Sequence, residues 1–205
     1  MITYGLELEG FLVHKETGEA QVVNSAILPA DGCGLLVEAR GEPNRKIEQA
    51  IGSLLGELMR IEKEIQSHEK LQDVFLSLTP IMKISKATRI AARRLNEKRP
   101  IAYQNIYKYI SHRNTQKELT AGLHLSVTDR IKYVKDKEEF FHNQPWDFVR
   151  FFKYLDEKFK EEIKVSKRNP GFYEIKFDGR IEYRSLPCDV NLEKLYSVIK
   201  EYNLY

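Results

Sequence analysis

Ile2-Thr3-Tyr4-Gly5-Leu6-Glu7-Leu8-Glu9-Gly10 alternates large apolar residues with polar or small ones along its whole length. A period of two residues marks a half-buried strand, because successive side chains leave a strand on opposite faces. Ile2, Tyr4, Leu6 and Leu8 then form the core face, and Thr3, Gly5, Glu7 and Glu9 the other. The first twelve residues are therefore read as a strand that carries two glutamates on its non-core face. Three further segments repeat the pattern. Residues 35–40, after the glycine-rich Asp31-Gly32-Cys33-Gly34 loop, set Glu38 and Arg40 on one face and stop at Gly41-Glu42-Pro43. Residues 123–128 set His124, Ser126 and Thr128 opposite Leu123, Leu125 and Val127. Residues 180–186 set Glu182 and Arg184 opposite Ile181 and Tyr183. The last segment follows residues 172–177 across Asp178-Gly179, a strong hairpin signal between two alternating runs.

Helices fill the intervals. Ile47, Ile51, Leu54, Leu55, Leu58, Ile61 and Ile65 recur at three- and four-residue steps and predict a helix over 45–68. Gly52 and Gly56 sit inside it, either to allow the close approach of a neighbour or, the favoured reading, as part of simple helix-on-sheet packing. A second helix is predicted over 85–97, before Pro100, and a third over 146–163, with Pro145 at its start. A fourth is predicted over 190–202, with Asp189 as its cap. Strands and helices are grouped rather than strictly alternating. This favours α+β architecture, with an antiparallel or mixed sheet and helices packed on one face. The 205 residues suit one domain, 1–205.

Hydrophobic residues at 42% and charged residues at 31% describe a globular chain and exclude disorder as the dominant state. A net charge of +3 does not by itself announce a polyanion binder. Two cysteines, Cys33 and Cys188, cannot build a disulfide framework, so a reduced cytoplasmic protein is expected. No apolar run approaches the ~18 residues of a membrane span, and no membrane partner is expected. Glu7 and Glu9 stand where a signal peptide needs an apolar stretch, so secretion is not expected. The chain has no Gly-x-x-x-x-Gly-Lys-Ser/Thr, no strand-linked Gly-x-Gly-x-x-Gly, no structural-zinc spacing and no Gly-x-Ser-x-Gly elbow.

If the four polar-faced strands neighbour one another, one sheet face gathers Glu7, Glu9, Glu38, His124 and Glu182, ringed by Arg40 and Arg184. Carboxylates so gathered repel unless cations neutralise them. Oxygen ligands suit Mg²⁺ or Mn²⁺, and the guanidinium fork suits phosphate or carboxylate oxygens.

In their motifs and order, Tyr4–Gly10, Asp31-Gly32-Cys33-Gly34 with Val37-Glu38-Ala39-Arg40, Ala121–Val127 and Arg180–Pro187 resemble the amidoligases. These COOH–NH2 ligases, best known from phages, are related in fold to glutamine synthetase and glutamate–cysteine ligase. The resemblance implies a glutamine-synthetase-like antiparallel catalytic sheet that binds ATP and two or three Mg²⁺ ions. It implies an amide-forming ligase that activates a carboxylate as its acyl phosphate for attack by an amine. Glu7, Glu9, Glu38, Glu182 and His124 would be metal ligands. His124, Ser126, Arg184 and Arg113 would hold the nucleotide, with Ser126 standing where glutamine synthetase has a second histidine. Arg40, Arg184 and Glu9 would be catalytic. The partners would be a carboxylate substrate and an amine substrate, whether amino acid, peptide, polyamine or modified macromolecule. The location would be the cytoplasm, the host's if phage-encoded. If the hairpin loop has two residues, Ile175 and Tyr173 face Glu182 and Arg184, and Tyr173 borders the nucleotide.

A competing reading comes from residues 83–113. Lys83, Lys86, Arg89, Arg93, Arg94, Lys98, Arg99, Lys108 and Arg113 face one acid, Glu97, giving +8 and leaving −5 for the remainder. With Tyr103, Tyr107 and Tyr109 nearby, this segment could hold phosphates and stack bases of a nucleic acid. An inactive scaffold of the same fold is the third reading.

Overall fold

The computed structural model describes residues 2–31, 34–97, 116–129, 146–176 and 180–202. The elements run β1 (Ile2–His14), β2 (Val37–Arg40), α1 (Ile47–Ser67), a 3-10 turn (Glu69–Leu71), β3 (Val74–Ser77), β4 (Ile81–Lys83) and α2 (Lys86–Glu97). They continue with β5 (Glu118–Thr120), β6 (Gly122–Asp129), α3 (Trp146–Lys158), α4 (Lys160–Val165), β7 (Tyr173–Ile175), β8 (Ile181–Pro187) and α5 (Leu192–Tyr202). The strand order of the main sheet is β2-β1-β6-β8-β7, with β3 also pairing to β1; β1 runs antiparallel to β3 and β6, and β8 to β6 and β7. The fold is α+β with an antiparallel sheet. Contacts divide the chain into two units: residues 1–8, 40–57 and 122–205, and residues 9–39 and 58–121.

In the first unit, antiparallel pairing aligns Leu6, Leu125, Tyr183 and Tyr173 in one row across β1, β6, β8 and β7. Leu6, Leu125 and Tyr183 are buried, as are Leu123, Val127, Ile181 and Leu186. Helix α3 supplies Phe151, Phe152 and Leu155 to this core, Phe159 follows from the junction with α4, and α5 supplies Leu195, Val198 and Ile199. Phe152 stacks on Tyr183 with ring centroids 5.0 Å apart, which fixes the helix-covered face of the sheet. The Tyr183 hydroxyl donates to Asp156 Oδ1 at 2.6 Å. Burial and this carboxylate together push the phenol well above the ordinary tyrosine range. At Gly41, which donates its N–H to the Leu6 carbonyl, a Cβ would lie 2.8 Å from the Leu54 backbone nitrogen. Rigid helix backbone cannot yield, so only glycine allows α1 this close.

The second unit pairs the far half of β1 with β3, Phe11 opposite Ser77 through His14 opposite Val74, and pairs β4 with β5. Asp31 Oδ1 accepts from the Leu35 and Leu36 backbone N–H groups and so closes the loop before β2. Ser85 Oγ accepts from the Thr88 N–H and caps α2.

Several expectations are corrected. Residues 146–163 form two helices, divided at Phe159 (φ −114°, ψ 21°), where no proline or glycine marks the break. The cap of α5 is Asn191, whose Oδ1 accepts from the Lys194 N–H, and not Asp189. Gly52 and Gly56 lie beside open space on the outer side of α1 and admit no close neighbour. Strands β3, β4 and β5 were not expected; each has only three or four residues, too few for periodicity to register. Gly32, Cys33, Pro100, the three tyrosines 103, 107 and 109, Lys98, Arg99, Lys108, Arg113, Pro145 and the Phe177-Asp178-Gly179 turn lie outside the described residues.

Candidate functional site

The register of the first unit places the expected residues. Glu7 stands opposite His124, Gly5 opposite Ser126, Ser126 opposite Glu182, and Glu182 opposite Glu174. Directly paired residues share a face, so these six occupy the face opposite the Leu6–Tyr173 row. His124 is 1% exposed and Glu182 2%.

The β7–β8 hairpin differs from the expected register. The Lys176 N–H donates to the Arg180 carbonyl, leaving residues 177–179 between the strands, so the condition of a two-residue loop is not met. Ile175 therefore pairs with Ile181, and Tyr173 with Tyr183. A slip of one residue exchanges the two faces. Tyr173 thus lies on the helix-covered side, its ring 6.0 Å from Phe152, and does not border the polar face. Glu174 and Lys176 take its place there.

A bulge in β8 aims Arg184. Leu123 pairs with Leu186 and Leu125 with Tyr183, so two residues, Arg184 and Ser185, oppose His124 alone. The extra residue restores Leu186 to the core after Glu182 and Arg184 have faced the site. Four bonds hold the bulge: Arg184 N–H to the Phe172 carbonyl (2.8 Å), Phe172 N–H to Ser185 Oγ (3.0 Å), and two from the Arg168 guanidinium to the Arg184 carbonyl (Nε 3.0 Å, Nη2 2.6 Å). A Cβ at Gly122 would fall on that guanidinium, so Gly122 makes room for Arg168.

Glu7, His124 and Glu182 each offer a ligand atom, and these atoms lie within 4.8 Å of one another. His124 Nδ1 is 3.6 Å from Glu182 Oε1. Positive groups flank the carboxylates. Arg40 Nε is 2.9 Å from Glu7 Oε1. Arg184 Nε is 3.4 Å from Glu182 Oε1, and Lys176 Nζ is 3.3 Å from Glu182 Oε2. Both of these cations also reach Glu174 Oε2, Arg184 at 2.6 Å and Lys176 at 2.9 Å. Burial pushes the Glu174 carboxyl up, but Lys176 and Arg184 outweigh it and hold the group below the usual carboxylate range.

The donor set fits a divalent cation. Two ligands of one ion with ~2.1–2.4 Å bonds can stand no more than about 4.2–4.8 Å apart, and the three ligand atoms lie within 4.8 Å of one another. Two carboxylates and an imidazole make a mixed oxygen–nitrogen set, which favours Mn²⁺ over the more strictly oxygen-seeking Mg²⁺.

Of the five expected metal ligands, the first unit brings together Glu7, His124 and Glu182. Glu9 and Glu38 belong to the second unit, where both are buried, at 2% and 8% exposure. Ser126, 7% exposed, lies beside Glu182 in the register. Sequence reasoning missed Glu174, Lys176 and Arg168. The first two share the parity of Glu182 once the loop holds three residues; Arg168 has no local signal, because its role depends on a carbonyl sixteen residues away.

No family model matches the chain, and no curated protein matches it. Among solved structures it is similar to glutamate–cysteine ligase from Francisella tularensis in complex with AMP, with a TM-score of 0.35 and 16% identity. The likeness covers 93% of this chain and 42% of that one, so the chain spans less than half the length of that ligase.

Proposed function

We propose that the chain is an ATP-dependent carboxylate–amine ligase of the amidoligase type, working with Mn²⁺ or Mg²⁺ on the polar face of its sheet. The observation that carries this reading is the convergence of Glu7, His124 and Glu182 within 4.8 Å, rimmed by Arg40, Arg184 and Lys176. Acids to hold a cation beside guanidinium and ammonium groups to hold anions are what phosphoryl transfer from a nucleotide to a carboxylate requires. The order of the four polar-faced motifs along the chain supports the same reading.

The divalent ion, when bound, would neutralise charge on the transferring phosphoryl group. Glu7, His124 and Glu182 would hold it. Arg184, aimed by the bulge, orients phosphate oxygens through its planar fork. Arg40, with its side chain 67% exposed, can turn from Glu7 to an incoming carboxylate. The substrate carboxylate attacks the γ-phosphorus, ADP leaves, and an acyl phosphate forms. The amine then attacks the acyl carbon, phosphate leaves, and the ammonium proton passes to solvent or a carboxylate. The acid and the amine are small molecules or groups on a macromolecule.

Trapping with hydroxylamine tests this. Incubation with ATP, Mn²⁺ and a panel of carboxylic acids should give ADP and a hydroxamate in equal amounts, and Glu182→Gln should abolish both. ADP release that is indifferent to the acid and yields no hydroxamate overturns the proposal.

A further inference from the structure

The hairpin carries two cations and two carboxylates that share their partners. Glu182 is engaged on both oxygens, by Arg184 and His124 on Oε1 and by Lys176 on Oε2. Any divalent ion bound by this carboxylate must therefore share it with, or take it from, a positive group already there. The two cations differ in how firmly they are held. Arg184 sits at the bulge, its backbone bonded on both sides by Phe172 and Arg168. Lys176 lies just beyond the end of β7, on a flexible four-carbon stem, and is nearer to Glu174 (2.9 Å) than to Glu182 (3.3 Å). Glu174 is the more exposed acid, 47% against 3% for the side chains, so a cation resting on it keeps more of its water.

We infer that Lys176 is a movable counter-ion for Glu182, giving up that carboxylate to the incoming metal and moving to the polyphosphate that arrives with it. The inference rests on the proposed metal site. It gives Lys176 an exchange of partners, and Glu174 a role, that the ligase reading does not require. A buried carboxylate needs a positive neighbour at all times. Lys176 supplies it while the metal is away, and Glu174 keeps the ammonium within reach when the metal takes over. The charge sum then sets the binding order. Around the proposed ion Glu7, Glu174 and Glu182 are balanced by Arg40, Arg184 and Lys176, three acids against three bases, so a divalent ion alone leaves excess positive charge. A metal–polyphosphate complex brings the compensating negative charge, and Lys176 becomes one of its ligands. The site therefore takes metal and polyphosphate as a unit.

Removing the ammonium has opposite consequences for the two ligands, which loss of structure alone does not produce. The test measures Mn²⁺ binding by calorimetry, and separately the binding of a preformed Mn²⁺ complex of a β,γ-imido ATP analogue. Wild type, Lys176→Met and Lys176→Arg are compared, with circular dichroism confirming the fold of each. Lys176→Met should bind Mn²⁺ alone about tenfold more tightly, since a like charge beside a ligand carboxylate is gone. It should bind the metal–nucleotide complex at least about threefold more weakly, since a phosphate contact is lost. Lys176→Arg should resemble wild type in both. Mn²⁺ binding that is present and unchanged, or weaker, in Lys176→Met overturns this inference and leaves the metal site standing. Absence of Mn²⁺ binding in all three proteins overturns the metal site and the inference together.

Discussion

Gly122→Ala should destabilise the protein through a single side chain, Arg168. The three atoms nearest a Cβ at position 122 all belong to the Arg168 guanidinium. Arg168 must swing away, and it then loses both hydrogen bonds to the Arg184 carbonyl, at 3.0 and 2.6 Å. Each bond from a charged donor is worth roughly 1.5–3 kcal/mol, but Arg168 is half-exposed and regains water, so about 2 kcal/mol for the pair is expected. At ~2–4 °C per kcal/mol for a chain of this size, the melting temperature should fall by about 4–8 °C. The decisive assay is a double-mutant cycle by urea unfolding. Arg168→Ala alone should cost at least as much as Gly122→Ala, because it removes the same two bonds together with the rest of the side chain. In the Arg168→Ala background Gly122→Ala should cost less than about 0.5 kcal/mol, giving a coupling of about 1.5–2 kcal/mol. Additive losses from the two substitutions would refute the argument that Gly122 exists to admit Arg168 to the bulge.

Tyr183→Phe should cost about 1–3 kcal/mol, since it strands the Asp156 carboxylate that accepts the phenol at 2.6 Å; urea unfolding of Tyr183→Phe against Tyr183→Phe/Asp156→Ala checks this, with the second change recovering part of the loss. In an ultraviolet titration compared with that of Tyr183→Phe, the difference should show Tyr183 ionising only above the ordinary tyrosine range, because burial and Asp156 raise its phenol; ionisation within that range would contradict the burial. The Lys194 ammonium holds the Glu162 carboxyl below its ordinary 4.5. That pairing adds stability above pH ~4.5 and loses it as the pH falls through the lowered value. Lys194→Met should therefore be less stable than wild type at pH 7 by under about 1 kcal/mol, the pair being largely exposed, with the difference shrinking as the pH falls below the ordinary 4.5.

How much of this was legible in the sequence depended on the length of each element. The opening strand, residues 123–128 and the long helix were readable because alternation or helical periodicity persisted over enough residues. Their facing was readable too: parity placed Glu7, His124 and Glu182 on one face, and the register unites them. What escaped depends on offsets of one residue. A three-residue loop in place of a two-residue turn moved Tyr173 to the core side and brought Glu174 and Lys176 to the polar face. The bulge at Arg184-Ser185 was signalled only by Leu186, an apolar residue at a parity that strict alternation assigns to the polar face. Arg168 acts through a carbonyl made accessible by that bulge, a relation no local pattern encodes. The short strands β3, β4 and β5 take their identity from their partners rather than from periodicity of their own.

The central claim is that His124 and the two glutamates beside it hold a divalent cation. Electron-spin-echo envelope modulation of bound Mn²⁺ examines the imidazole ligand directly. The account predicts a nitrogen-14 coupling in the wild-type protein that disappears in His124→Gln, and loss of high-affinity Mn²⁺ in Glu182→Gln. Bound Mn²⁺ with no nitrogen coupling, or with a coupling that survives His124→Gln, would contradict it.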